Sequence, residues 1–165
     1  MAGIDFGQMK NIELKIKVNN FSDIKLRLKD LGAFFEKKMH QIDTYYNNED
    51  ARLKIREIDD KEFELISYQR PDTQGFKVSQ YNIEKLSSEN CEIKKYHLKK
   101  ILGERVIVDK TRQLWLYKNT RIHLDKVNGL GNYLELETIV TEDIGEAKEE
   151  FNFVTKSLNL GQYEK

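Results

Sequence analysis

The chain of 165 residues is long enough to bury a substantial core, and it reads as a single domain over 1–165 with a flexible N-terminus at about 1–9. Lys+Arg and Asp+Glu balance at 28 each, which argues against a dedicated nucleic-acid binder with its usual basic excess. The lone Cys91 excludes an intrachain disulfide, and no run of about 18 apolar residues or signal-like opening appears, so a soluble cytoplasmic protein without a membrane segment is expected.

In chain order, a strand is predicted over about 11–18, where Ile12, Leu14, Ile16 and Val18 alternate with Glu13, Lys15 and Lys17. A helix follows from Phe21 to Leu31, with Ser22 as candidate N-cap, Ile24, Leu28 and Leu31 on one face, and Gly32 as its stop. Alternating runs at about 38–47, 51–58, 61–69 and 76–84 read as strands, with Asn47-Asn48-Glu49-Asp50 and Asp59-Asp60 as hairpin turns. The spacing predicts a second helix at about 88–102, with Ile93, Tyr96 or His97, and Ile101 on one face and Gly103 at its end. Strands at about 104–112, 114–118, 120–126 and 133–140 come next. Ile144, Ala147, Phe151, Val154 and Leu158 then mark an amphipathic helix. Strands outnumber helices and most connections are hairpin-short, so the class is α+β with a large antiparallel sheet.

The charges on these strands are sorted by sign. Arg52, Lys54 and Arg56 occupy one face of one strand, Lys15/Lys17 and Lys110/Arg112 repeat the pattern, and Asp125, Glu135 and Glu137 cluster near the C-terminal strands. In-phase neighbours lie roughly 6.6–7 Å apart in an extended strand. Like charges at that distance repel by about 0.6 kcal/mol in water and about 2.4 kcal/mol at an effective dielectric near 20. A single such row is most simply a solvated face. Several rows with acids and bases segregated suggest bound counter-charges: polyphosphate for the bases and a divalent cation for the carboxylates. Periodicity alone leaves open whether the ionic face meets water or a closed lumen.

At this point the residues resemble a known family. Asn11-Ile12-Glu13-Leu14-Lys15 is similar to the amino-terminal ExExK signature of the CYTH superfamily, the triphosphate tunnel metalloenzymes. His40-Gln41-Ile42-Asp43-Thr44-Tyr45-Tyr46, Arg52-Leu53-Lys54-Ile55-Arg56-Glu57, Leu65 to Asp72 and Val108-Asp109-Lys110-Thr111-Arg112 follow in the family's order. Thr120-Arg121-Ile122-His123-Leu124-Asp125 then leads to Gly129-Leu130-Gly131-Asn132-Tyr133-Leu134-Glu135-Leu136-Glu137, which is closest to the class IV adenylate cyclase-like branch. The resemblance covers about residues 10–160. It implies an eight-stranded antiparallel β-barrel with helices packed outside and charged side chains lining a tunnel. Carried over by position, it implies Glu13, Asp125, Glu135 and Glu137 as ligands for Mg²⁺ or Mn²⁺, with Glu13, Glu135 and Glu137 catalytic through the ion. Lys15, Arg56, Lys110 and Arg112 match the family's phosphate-binding bases. Lys17, Arg52, Lys54 and Arg121 share their faces, and Arg70 stands beside the position where related cyclases carry a phosphate-contacting lysine. One departure matters: Asn11 replaces the first signature glutamate, offering a neutral carbonyl oxygen but no charge, so one metal position should be weakened.

The resemblance thus implies a metal-dependent enzyme whose partner is a small triphosphate, with neither nucleic acid nor membrane expected and a homodimer left open. A class IV adenylate cyclase-like conversion of ATP to cyclic AMP and pyrophosphate is the first expectation. A triphosphatase acting on thiamine triphosphate, tripolyphosphate or a nucleoside triphosphate is the second, and a non-catalytic nucleotide or polyphosphate binder the third. Among the other candidates, His123 reads as a hydrogen-bonded structural histidine more readily than a proton carrier, and His97 as surface. His40 with Asp43 reads as ordering the barrel mouth rather than touching a base. Trp115, Tyr117, Phe63 and Tyr68 read as core or rim, and Cys91 as no nucleophile. Gly129-Leu130-Gly131 lacks the spacing of a dinucleotide fingerprint and reads as a turn.

Overall fold

In a computed structural model of the chain, the described residues are 8–49, 51–69 and 77–160. Arg70 therefore lies outside the described residues, as do residues 1–7. The elements are β1 (Gln8–Val18), α1 (Ser22–Leu31), β2 (Phe34–Tyr46), β3 (Arg52–Ile58), β4 (Glu62–Gln69), β5 (Lys77–Leu86), α2 (Ser88–Ile101), β6 (Glu104–Tyr117), β7 (Thr120–Val127), β8 (Gly131–Ile139) and α3 (Ile144–Ser157). The strands form a closed eight-stranded barrel in the order β1-β5-β4-β3-β2-β6-β7-β8, as the family resemblance implied. No helix among the described residues is long and apolar enough to cross a membrane.

The chain divides into two compact units. The first takes β2 from His40, β3, β4, β5 from Gln80, α2 and β6 as far as Asp109. Its core is Tyr46, Ile55 and Cys91, packed by Phe63, Leu65, Leu86, Leu98 and Leu102. The β3–β4 hairpin closes through Asp59 and Asp60, both left-handed at φ 51° and 56°, which suits the right-handed twist of the flanking strands. Ser87 caps α2 by accepting the Asn90 N–H at 3.1 Å. The buried side of α2 differs from the expected one. Cys91, Leu98 and Leu102 face the core, while Ile93, Tyr96 and Ile101 are 49, 60 and 77% exposed. The helix has apolar residues on two sides, and its packing against Tyr46 and Ile55 selects one of them.

The second unit takes β1 from Lys10, α1, the start of β2, β5 through Ser79, β6 from Lys110, β7, β8 and α3. Ile12, Leu14 and Ile16 of β1, Trp115 of β6, Ile122 and Leu124 of β7, and Leu134 and Leu136 of β8 make one apolar surface. Ile24 and Leu28 of α1 and Ala147, Phe151, Val154 and Leu158 of α3 cover it. Each fully buried side chain of this size contributes about 1.5–3 kcal/mol relative to exposure. Asp143 caps α3 by accepting the Gly145 N–H at 2.8 Å. At α1 the cap position falls on Phe21, which makes no side-chain cap; Ser22 is the first helical residue and donates its N–H to Asn20 Oδ1 at 3.1 Å. Gly32 ends α1 at φ 92°, a conformation that favours glycine.

Two expected strands are one. β6 runs unbroken from Glu104 to Tyr117, with Arg112 opposite Asp125, Leu114 opposite His123 and Leu116 opposite Arg121. Its even positions change from ionic at Lys110 and Arg112 to apolar at Leu114 and Leu116, so the alternation breaks although the backbone does not. β2 likewise starts at Phe34, ahead of the expected 38.

Candidate active site

Alternation along β1, β7 and β8 puts every odd residue on the face opposite the helix-covered core, which in a closed barrel is the interior face. Register then brings the acids together. Glu13 pairs with Glu137 and Lys15 with Glu135 across β1–β8, while Arg121 pairs with Glu137 and His123 with Glu135 across β7–β8. These ionic side chains are buried: Glu13 is 8% exposed, Glu135 9%, His123 5%, Arg112 and Lys110 3%, and Asp125 0%.

His123 Nδ1 lies 2.8 Å from Glu135 Oε1 and 3.9 Å from Glu137 Oε1. Arg121 Nη2 donates to Glu137 Oε2 at 3.1 Å, and Arg112 Nη2 stands 3.6 Å from Glu135 Oε1. The Asn11 amide donates to Glu137 Oε2 at 3.5 Å. The Ser79 hydroxyl is close to both Asn11 Oδ1 and Glu13 Oε2. Asn11 thus meets the acids with its donor edge. Asp125 accepts a two-point contact from Arg112, Nε to Oδ1 at 2.7 Å and Nη2 to Oδ2 at 2.8 Å, with Lys110 Nζ 3.5 Å from Oδ2.

Burial works against ionisation of Asp125, Glu135 and Glu137, and the outcome depends on the neighbours of each. It pushes Glu137 up to about 8, reinforced by the charge of Glu135 and the hydrogen bond between the two carboxyls. Glu135 is held well below the usual range despite burial, because the His123 hydrogen bond and the charges of Lys15 and Arg112 outweigh it. Arg112, with Lys110, likewise overcomes burial at Asp125 and lowers it. His123 falls to about 4, through burial first and the Arg112 charge second. The site at neutral pH therefore holds a neutral imidazole donating Nδ1–H to ionised Glu135, beside a Glu137 that keeps a proton.

That retained proton is a test of fit for a cation. Glu135 and Glu137 lie close enough that burial and the charge of Glu135 keep a proton on Glu137 although Arg121 and Arg112 oppose it, and a cation between the two carboxyls would displace that proton. The donor atoms of His123, Glu135 and Glu137 all lie within 4.8 Å of one another. Carboxylate oxygens in this number are hard donors of the kind that bind Mg²⁺ or Mn²⁺, and the Asp125–Arg112 and His123–Glu135 contacts would orient them. The residues fit a divalent cation.

The first unit carries a second ionic row. Asp43, fully buried, accepts Arg56 Nε at Oδ1 and Arg56 Nη2 at Oδ2, both at 2.9 Å, and Lys54 Nζ at 3.1 Å. Lys54 also reaches Tyr45 Oη at 3.3 Å and lies 5.2 and 5.3 Å from the ring centroids of Tyr45 and Tyr68. Arg52 stands 5.9 Å from the Tyr68 ring. Tyr68 therefore belongs to the ionic row rather than the core.

The remaining candidates fall elsewhere. Lys15, though opposite Glu135 and 5.7 Å from the Tyr133 ring centroid, is exposed, as is Lys17 beside Gly131 at the end of β1. His40 and Asp43 point to opposite faces of β2: His40 Nε2 pairs with Asp109 at 2.8 Å, and both are exposed. His97 is exposed beside Tyr96, Cys91 is fully buried, and Trp115 packs edge-on against Phe35. Sequence reasoning missed Asp43 as an ion-pair partner and Ser79 entirely. For Asp43 a signal existed, since Lys54 and Arg56 repeat the spacing of Lys110 and Arg112 and each pair has an in-phase aspartate on the next strand.

Comparison with known proteins places this geometry in context. The sequence model of the CYTH domain matches residues 9–165. A Methanocaldococcus jannaschii protein whose name proposes adenylate cyclase activity is 28% identical, over 93% of this chain and 92% of its own. The structure of a Pyrococcus horikoshii protein, 24% identical, superposes with a TM-score of 0.74 over 91% of this chain and 90% of that one. A Hippeastrum protein, described as a proposed adenylyl cyclase with a dominant triphosphatase activity, superposes at 0.62 with 17% identity over 91% and 88%. At such identities the structural likenesses speak to the fold alone.

Proposed function

The chain belongs to the CYTH domain family, and we propose that it is a divalent-metal-dependent enzyme acting on a nucleoside triphosphate, converting ATP to cyclic AMP and pyrophosphate in the manner of class IV adenylate cyclases. The observation that carries this reading is the buried Glu135 beside the half-buried Glu137, set across from buried Glu13 and flanked by Lys15, Arg112 and Arg121. Carboxylates held against one another are costly to ionise unless a cation lies between them, and a metal-complexed polyphosphate supplies that cation together with an anion for the bases.

Glu13, Glu135 and Glu137 would hold Mg²⁺ or Mn²⁺, which when bound neutralises phosphate charge and polarises the phosphoryl oxygens. Lys15, Lys110, Arg112 and Arg121 are the groups suited to phosphate oxygens beside these acids, with Lys17 and Arg70 as further candidates, while Arg52, Lys54 and Arg56 form a basic row of the same kind within the first unit. In this reading Asp125, with both oxygens on basic partners, fixes Arg112 and Lys110. The substrate's 3′-hydroxyl oxygen attacks the α-phosphorus as its proton passes to solvent water, the bond from that phosphorus to the bridging oxygen breaks, and pyrophosphate leaves with its charge met by the basic groups. His123 keeps Glu135 ionised and oriented.

A second reading, hydrolysis of the terminal phosphate of a triphosphate by water, is favoured by one feature. The aromatic rings of the first unit's ionic row, Tyr45 and Tyr68, lie against Lys54 and Arg52, which suits a phosphate tail better than a stacked base. Incubation with ATP and Mg²⁺ or Mn²⁺, with products separated, tests both. Cyclic AMP with pyrophosphate is the expected result. ADP with phosphate, or phosphate released from tripolyphosphate, would transfer the assignment to the second reading. ATP and tripolyphosphate both left unchanged would contradict both.

A further inference from the structure

The two ionic rows contain the same construction. In the first unit Asp43 on β2 faces Arg56 on β3, and Lys54 stands two residues before that arginine. In the second, Asp125 on β7 faces Arg112 on β6, and Lys110 stands two residues before it. Each aspartate is fully buried, spans the guanidinium edge through Nε and Nη2, and takes the lysine on Oδ2. Chain order is reversed between them, since the aspartate precedes the basic strand in one and follows it in the other.

We propose that Asp43 and Asp125 are positioning residues for polyphosphate: each locks an arginine and a lysine into one orientation before the phosphate arrives. The reason is geometric. A guanidinium is planar, and a two-point contact along one edge fixes both its plane and its rotation. The lysine stem, otherwise free to sample many rotamers, is pinned by a charge-assisted contact. The aspartate, lysine and arginine of each set sum to one net positive charge, so the construction attracts an anion while removing most of the ordering cost from the binding step. This assigns to Asp43 a role that the sequence reading did not give it, and gives Asp125 a role other than metal ligation. The inference rests on the proposed triphosphate substrate.

Simple electrostatics and positioning predict opposite signs, which makes the idea testable. Removing a negative charge beside two bases should strengthen polyanion binding by Coulomb attraction. Loss of positioning should weaken it. The probe is inorganic tripolyphosphate, titrated calorimetrically into wild type, Asp43→Asn and Asp125→Asn in the presence of a chelator, so that metal ligation does not contribute. We expect wild-type binding, and weakening by about tenfold or more in each variant. A rise in KM for the metal-loaded substrate should exceed the fall in kcat, and Mn²⁺ affinity of Asp125→Asn should be retained. Equal or tighter tripolyphosphate binding in folded variants would overturn the inference and leave the proposed function standing. Failure of wild type to bind would overturn the inference, and failure of ATP with Mg²⁺ to bind as well would overturn the proposed function. Should either variant not fold, proton exchange at the wild-type arginines decides. Arginine side-chain NMR should show the Arg56 and Arg112 Nε–H protons protected from exchange before ligand is added, and rapid exchange of both would refute the locked geometry.

Discussion

Glu137 is where burial has its most direct consequence. Its carboxyl is pushed up to about 8 from 4.5, so between those values the folded chain holds a proton that the unfolded chain releases. Its contribution to stability is fully present below pH 4.5 and is lost as pH rises to about 8. His123, lowered to about 4 from 6.5, acts in the opposite sense: its contribution is present above 6.5 and lost as pH falls to about 4. The two oppose each other from 4.5 to 6.5, leaving 6.5 to 8 as the window in which Glu137 acts without that opposition. Urea unfolding in chelator should show the metal-free protein losing up to about 2 kcal/mol across that window as pH rises. Saturating Mg²⁺ should shrink the loss, because the ion favours the ionised carboxyl; stability independent of pH there would contradict the assignment. At Glu135 the expectation concerns turnover. Glu135→Gln keeps the side chain's size but removes the charge, and should lower metal-dependent turnover by about a hundredfold or more. Wild-type rates in a folded Glu135→Gln protein would remove this residue from the metal site.

Among the elements, α3 and α2 show when a helical face can be read from sequence. Ala147, Phe151, Val154 and Leu158 had no competing apolar stripe, and all four are buried. Accordingly Phe151→Ala should cost about 3–5 kcal/mol in denaturant unfolding. In α2 two stripes competed, and the expected one, carrying Ile101, is the exposed one. Ile101→Ser should change stability by no more than about 0.5 kcal/mol, and a large loss would mean that this face is covered after all. The strands of β1, β7 and β8 were legible because period-two alternation is unbroken there. β6 was not, because its even positions change from ionic to apolar after Arg112 although the β7 residues facing them, His123 and Arg121, remain polar, so the strand's own alternation suggests a break that the backbone does not have. Ser79 escaped notice for a related reason: a lone serine carries no periodic signal, and its relevance comes from lying near Asn11 and Glu13.

At the scale of the molecule, local pattern reaches only the hairpins. Closure depends on β1 lying beside β8 and β5, and β2 beside β6, neighbours distant in the chain that periodicity cannot pair. The family resemblance supplied that closure, and with it the expectation that the ionic faces turn inward. Composition could not: equal numbers of acids and bases say nothing of their sorting. The central claim is that the acids gathered by β1 and β8 hold a divalent ion for a triphosphate. Anomalous diffraction from crystals grown with Mn²⁺ and a non-hydrolysable ATP analogue tests it most directly. The account predicts a manganese peak ligated by carboxylate oxygens of Glu13, Glu135 and Glu137, at about 2.0–2.3 Å, and also touching a phosphate oxygen. A peak away from these three residues, or a bound triphosphate with no metal among them, would contradict it.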